Sequence, residues 1–218
     1  MATRIFLIDD HPIVREGMER MIAREADMEV CGESDGGDET LDKLIKASPQ
    51  VVVLDLSLTH SSGFDLIHTI QQHLPKAAII VLSMHDENLY AERTLRAGAS
   101  GYIMKQEAPA KVLNAIRKVA AGHIYVSEAI SKRLLKGLVK PSTDSPLASL
   151  SDREFQVFQY IGEGGSHQEI ADRLNLSIKT IESHVERIKN KLGLKSGREL
   201  LRRAMEWVIR NQGPVGVE

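Results

Sequence analysis

Four apolar runs in the first half of the chain each end in a residue able to do chemistry. Ile5-Phe6-Leu7-Ile8 runs into Asp9 and Asp10, and Val51-Val52-Val53-Leu54 into Asp55. The run from Ala78 to Leu82 meets Ser83, and Tyr102-Ile103-Met104 meets Lys105. Three carboxylates drawn together repel one another unless a cation joins them. A hard divalent ion such as Mg2+ resolves that repulsion. Asp55 then has the chemistry of a carboxylate nucleophile that takes up a phosphoryl group. The ion, the Lys105 amine and the Ser83 hydroxyl would neutralise or hydrogen-bond the phosphoryl oxygens. Taken singly, each residue has a plainer role. Asp10 precedes His11-Pro12 and suits a helix start, Lys105 suits a solvated surface, and Ser83 suits a turn. It is their joint position at four run ends that points to a site.

The runs say what must position these residues. Short apolar runs bounded by turn signals read as buried strands of a parallel sheet. Such sheets bind ligands just beyond the carboxyl ends of their strands. Strands are predicted near 4–9, 28–33, 50–56, 78–83 and 101–105, with helices near 12–25, 37–47, 62–73, 87–97 and 107–121. This alternation predicts right-handed βαβ units and a five-stranded α/β sheet covered on both faces. A further helix is expected from Ser127 to about Gly137. The stretch from Val139 to Ala148, rich in Pro, Ser and Thr, reads as a linker. The expected domains are therefore 1–122, a helix and linker over 123–148, and 149–218.

After the linker the pattern is helical. Ser151/Glu154, Ser166/Glu169 and Ser196/Glu199 have capping-box spacing, and Ser177 can cap one more helix. Gly193 is placed to end it. Four helices result, and the middle pair (about 167–174 and 178–192), joined by Asn175-Leu176-Ser177, has helix-turn-helix spacing. In the second of that pair, Ile181, Val185, Ile188 and Leu192 form one apolar stripe. Lys179, Ser183, Glu186 and Asn190 point the other way, flanked by Glu182 and Arg187. That face suits a DNA major groove, although a plain amphipathic bundle helix has the same pattern.

With 218 residues, 42% hydrophobic and 27% charged, the chain can bury a real core. Its net charge of −2 says nothing of nucleic acid, but residues 176–204 hold 8 basic and 3 acidic residues, a local net charge of +5. Localised basic charge is what a nucleic-acid footprint requires. The single cysteine, Cys31, excludes an intramolecular disulfide framework and reads as an inert core thiol. No 18-residue apolar run is present, so no membrane span is expected. Because the N-terminus leads straight into a strand, no signal peptide is expected and the cytoplasm is the expected location.

Residues 3–122 resemble the receiver domain of two-component response regulators. The resemblance rests on the pair Asp9/Asp10, on Asp55 with Gly63 eight residues on, on Leu82-Ser83-Met84-His85-Asp86-Glu87, and on the stretch from Ala97 to Lys105. It implies a flavodoxin-like, doubly wound fold, with phosphorylation at Asp55. Asp9, Asp10, Asp55 and the backbone carbonyl of Ser57 would bind Mg2+, and Ser83 and Lys105 would contact the phosphoryl group. Tyr102 would be the aromatic that rotates inward when the Ser83 hydroxyl moves. Many members read Met-Pro where this chain has Leu58-Thr59, and a more usual acidic residue before Gly63 is replaced by His60-Ser61-Ser62. This predicts an altered loop that removes no metal or phosphoryl ligand.

Residues 150–204 look like a LuxR-type output domain nearly end to end. The marks include Glu154, Gly164, Glu169-Ile170-Ala171, Leu174, Ser177, Thr180, His184, Val185 and Lys191-Leu192-Gly193-Leu194. Receiver plus this domain resembles the NarL/FixJ class. The resemblance implies a sensor histidine kinase as phosphodonor, a homodimer on phosphorylation, in part through the helix near 196–210, and double-stranded promoter DNA as target. It implies no enzymatic turnover beyond self-phosphorylation from small donors and slow autodephosphorylation. The expected DNA-contacting set is Lys179, Thr180, Glu182, Ser183, Glu186, Arg187, Lys189, Asn190, Lys191, Lys195 and Arg198. Positions 182 and 186 are often basic or polar in the family, and both are glutamate here. Two other classes compete. A Mg2+-dependent phosphatase would need a second acid and a covering cap, and no insertion supplies one. A helical domain that meets protein instead of DNA would fit the zero net charge of residues 141–218, and a salt-dependent gel shift separates it from DNA binding.

Overall fold

Each apolar run becomes a strand. The structure, a computed structural model, describes residues 2–59, 61–139, 146–174 and 176–212. Strands β1 (Thr3–Ile8), β2 (Met28–Ser34), β3 (Val51–Leu54), β4 (Ala78–Ser83) and β5 (Gly101–Met104) pair in parallel in the order β2-β1-β3-β4-β5. Between them run helices α1 (Pro12–Ile22), α2 (Thr40–Ala47), α3 (Gly63–His73) and α4 (Glu87–Ala97), and α5 (Pro109–Ala120) follows β5. Strand order reverses between β1 and β3, and that is where an open α/β sheet offers a ligand crevice.

Strands β1, β3, β4 and β5 are largely apolar on both faces because both are covered, whereas the edge strand β2 carries Glu29 and Glu33. Ile5, Leu7, Val51, Val53, Ile80, Leu82 and Ile103 join Ile22 of α1 and Val112, Ile116 and Val119 of α5 in one buried cluster. The alternate residues Phe6, Ile8, Val52, Leu54, Ile79, Val81 and Tyr102 are also at most 1% exposed. Period-two alternation turns them to the opposite face.

The first compact unit runs from Met1 to Leu135 and so continues past residue 122. The reason is a backbone pairing on the outer edge of β5. Tyr102 N–H donates to Tyr125 O at 2.9 Å, and Tyr125 N–H to Ser100 O at 3.0 Å. An open strand edge is thereby covered. Helix α6 (Glu128–Val139) follows, its Ile130 fully buried and the Ser127 hydroxyl donating to Glu87 Oε1 at 2.7 Å. It passes Gly137, because one glycine costs a helix only about 1 kcal/mol. Within the expected linker, residues 140–145 lie outside the described residues and Pro146–Ser149 form a 3₁₀ turn.

The second unit, Lys136–Glu218, contains the four expected helices, α7 (Asp152–Gly162), α8 (His167–Arg173), α9 (Ile178–Leu192) and α10 (Gly197–Gln212). Ser151 and Ser166 form full capping boxes with Glu154 and Glu169, and Ser177 accepts from Thr180 N–H. At the fourth start the box is redirected. Ser196 Oγ accepts from Glu199 N–H, but Glu199 Oε2 takes the N–H of Lys195. Trp207 sits edge-on to Phe155 and Phe158, with ring centroids 5.3 and 5.8 Å away. Ile181 and Ile188 are fully buried, Val185 is 8% exposed, and Gly193 ends α9 at φ 66°.

Candidate functional site

Asp9 and Asp55 are the first residues past β1 and β3, on the two sides of the strand-order reversal. The sheet ladder still holds their backbones: Asp55 N–H donates to Ile8 O at 2.8 Å and Asp9 N–H to Ser34 O at 3.1 Å. Asp55 is 2% and Asp9 6% exposed. Lys105, just past β5, reaches both, its Nζ 2.6 Å from Asp9 Oδ2 and 2.7 Å from Asp55 Oδ2. Burial alone would lower the Lys105 pKa, but the carboxylates of Asp55 and Asp9 outweigh it and hold the ammonium above its usual range. Asp55 Oδ1 accepts from Ser57 N–H at 3.2 Å.

Asp10 turns toward the loop after β3. Its Oδ2 accepts from Thr59 N–H at 3.1 Å and from the Thr59 hydroxyl. His11 closes the group, with Nδ1 3.1 Å from Asp9 Oδ1 and 2.8 Å from Asp10 Oδ1. Ligand atoms of Asp9, Asp10, His11 and Asp55 all lie within 4.8 Å of one another. Asp10 Oδ1 is buried and accepts no hydrogen bond despite the nearby imidazole. An orphaned carboxylate oxygen beside two further carboxylates fits a hard divalent cation, which takes oxygen ligands.

Ser83, fully buried at the end of β4, accepts from His85 N–H at 3.2 Å. Tyr102 is turned inward and is 1% exposed, and its phenol donates to His85 O at 2.8 Å. Burial pushes the phenol pKa up, against an opposing pull from the Ser83 hydroxyl. The His85 ring stacks on Tyr90 at 4.5 Å and meets Ser57 Oγ through Nε2 at 2.9 Å. So the ends of β3, β4 and β5 are tied together by side chains. Gly63 lets α3 start close beneath the site, since a Cβ there would stand 2.6 Å from Leu56 Cα and 3.0 Å from Asp55 O.

Of the seven residues expected at the first site, Asp9, Asp10, Asp55, Ser57 and Lys105 come together, and Ser83 and Tyr102 adjoin them through His85. Three partners were missed. These are Thr59, His11 and His85, which local sequence marks only as a loop change, a helix start and part of a motif. Thr59 had a signal, since it stands where proline, which has no N–H or hydroxyl to offer, is usual.

On α9, Lys179, Glu182, Ser183, Glu186, Arg187 and Asn190 form an exposed face, and Thr180 is half-buried beside Ser177. Lys195 and Arg198 are exposed past its end. Two expected cations are already paired. Lys189 Nζ lies 2.7 Å from Glu186, and Lys191 Nζ lies 2.6 Å from Glu154. Lys179, Arg187, Lys195 and Arg198 make no ion pair among the described residues. His184, whose buried Nδ1 lacks a partner, has its pKa lowered by burial and by Arg187.

Comparison with known families matches this geometry at both ends of the chain. Residues 5–117 match the response regulator receiver domain, and residues 148–204 match the bacterial regulatory proteins of the luxR family. The chain belongs to the response regulators that join a receiver domain to a LuxR-type DNA-binding domain. Among its relatives is the oxygen regulatory protein NreC of Staphylococcus aureus (strain bovine RF122 / ET3-1), 35% identical over 93% of this chain and 97% of the relative. A solved structure of RcsB from Salmonella enterica serovar Typhimurium, bound to promoter rprA in the presence of phosphomimetic BeF3−, is 30% identical. It has a TM-score of 0.69 and covers 94% of this chain and 99% of that one. A LuxR-family two-component response regulator from Aurantimonas sp. SI85-9A1 is 34% identical over 64% of this chain and all of the other, with a TM-score of 0.58. Among the described residues no helix is long and apolar enough to cross a membrane.

Proposed function

We propose that Asp55 accepts a phosphoryl group from the phosphohistidine of a sensor histidine kinase or from a small phosphodonor, and that this promotes dimerisation and binding to promoter DNA. An Asp55 carboxylate oxygen forms the new bond to phosphorus. The bond from phosphorus to the donor breaks, and its electron pair leaves with the donor. Asp9, Asp10, Asp55 and the Ser57 backbone carbonyl are the residues to hold Mg2+, which supplies positive charge to the phosphoryl oxygens when bound. Lys105, which spans Asp9 and Asp55, would move onto one phosphoryl oxygen, and the Ser83 hydroxyl would take another. Any withdrawal of Ser83 Oγ toward that oxygen breaks its bond to His85 N–H and unsettles the His85–Tyr102 contact. Phosphorylation thereby biases an equilibrium of the receiver. The observation that carries this reading is the Lys105 bridge between two buried carboxylates beside an orphaned Asp10 oxygen.

For the output, α9 enters the major groove, with Thr180, Glu182, Ser183 and Asn190 toward base edges and Glu186 beside them. Lys179, Arg187, Lys195 and Arg198 serve phosphates. Lys189 and Lys191 reach phosphate only by releasing Glu186 and Glu154. The solved RcsB complex with a promoter supports this reading. The protein acts in the cytoplasm, where such DNA lies. The receiver spans about residues 1–122 and the DNA-binding domain about 149–218, with the helix and linker between. The test is selection of genomic fragments with and without BeF3−-Mg2+, followed by sedimentation of the protein. Enrichment of a shared palindromic sequence and a rise in dimer, both dependent on BeF3−, are expected. No enrichment and an unchanged monomer would refute the output step.

A further inference from the structure

We propose that His11 is a ligand of the divalent ion, so that this site takes nitrogen-accepting ions such as Mn2+ in preference to Mg2+. The inference rests on the reading of the acidic cluster as the metal site. His11 is the N-cap of α1, at φ −94° and ψ 107°, yet its side chain makes no capping hydrogen bond. Pro12 follows in the first turn and sets the helix start without it. The ring is therefore free of the usual work of an N-cap. It is turned over the carboxylates although 61% exposed.

Its Nδ1 faces two acceptors at once, 3.1 Å from Asp9 Oδ1 and 2.8 Å from Asp10 Oδ1. One ring nitrogen carries at most one hydrogen. The Asp9 oxygen accepts from the His11 backbone N–H at 2.9 Å. The buried Asp10 oxygen accepts no hydrogen bond and has only its ion-pair contact with Nδ1. Nδ1 and the oxygens of Asp9, Asp10 and Asp55 lie close enough together to ligate one cation. Adjacent ligands of an octahedral ion with bonds of about 2.1 Å stand about 3.0 Å apart. The two spacings at His11 Nδ1 fall on either side of that value. With its proton on Nε2, where the exposed ring needs no protein partner, the imidazole turns the Nδ1 lone pair to the ion. An imidazole nitrogen binds Mn2+, Co2+ and Zn2+ more readily than Mg2+, which prefers oxygen.

The experiment uses full-length protein and Mn2+ as probe. Mn2+ binding is titrated by electron paramagnetic resonance, Mg2+ binding is measured by competition, and the spin-echo modulation of bound Mn2+ reports directly coordinated nitrogen. Wild type should show that nitrogen and His11→Ala should lose it. Mn2+ affinity should fall about tenfold in the variant, while Mg2+ affinity changes by less than about twofold. Bound Mn2+ without nitrogen coupling, or an equal loss for both ions, would overturn the role of His11 and leave the metal site standing. Mn2+ binding that survives Asp10→Ala would also overturn it, by placing the ion elsewhere. No saturable Mn2+ binding at all would remove the metal site and His11 with it.

Discussion

Thr59 gives Asp10 Oδ2 two donors, its N–H and its hydroxyl, where a proline would offer neither. Partners of this kind hold a metal-ligating carboxylate in place, and their loss commonly costs ten- to a hundredfold in metal affinity. Thr59→Val keeps the N–H and loses the hydroxyl. It should weaken Mg2+ binding about tenfold in calorimetric titration, and an unchanged affinity would deny Thr59 this role. The α9 face yields a second residue-level expectation. Lys179 is exposed at the positive end of the helix, suited to phosphate. Lys179→Ala should weaken binding alike on all sequences and lower the salt slope by roughly 1. Glu186 is 65% exposed and pairs with Lys189 at 2.7 Å. Removing it frees a cation, so Glu186→Ala should strengthen binding to every sequence. Competition against a single-substitution operator series checks this, and a loss of preference at one base pair would instead make Glu186 a base reader.

At the scale of elements, α7 is tied to α9 through one carboxylate. Glu154 is 3% exposed, and its Oε2 accepts from Ser151 N–H at 2.8 Å and meets Lys191 at 2.6 Å. Burial works to raise its pKa, but Lys191 and the Ser151 bonds prevail and the carboxyl sits below its usual value of 4.5. A lowered folded-state pKa contributes stability that is present above 4.5 and lost as pH falls through the folded value. The unfolding temperature of the helical domain should therefore fall as pH goes below about 4.5. Glu154→Gln should cost about 2 kcal/mol at neutral pH and flatten that drop. An identical acid profile in the variant would contradict it. The capping half of this arrangement was legible in the sequence, since Ser151 and Glu154 are three residues apart. The Lys191 half was not, because its partner lies 37 residues away. The same holds at the receiver site. Buried parallel strands are continuous apolar runs, so the strand ends and their Asp, Ser and Lys residues could be read directly. Thr59 with Asp10 and His85 with Ser57 join across 49 and 28 residues, and no local pattern marks them. Tyr125 also left no signal, because its edge pairing with β5 is a single bridge.

For the molecule as a whole, a receiver and a LuxR-type domain in one chain make the phosphorylation of one carboxylate the input and DNA binding the output. Under the proposed function that carboxylate is Asp55, whose Oδ2 faces Lys105 and whose Oδ1 faces Ser57 N–H. The most direct test is to incubate the full chain with acetyl phosphate and Mg2+ and map the acyl phosphate by hydroxylamine trapping and peptide mass spectrometry. A single adduct at Asp55, formed only with the divalent ion present and absent from Asp55→Asn, is the result this account predicts. Labelling of Asp55→Asn to the wild-type extent would contradict it.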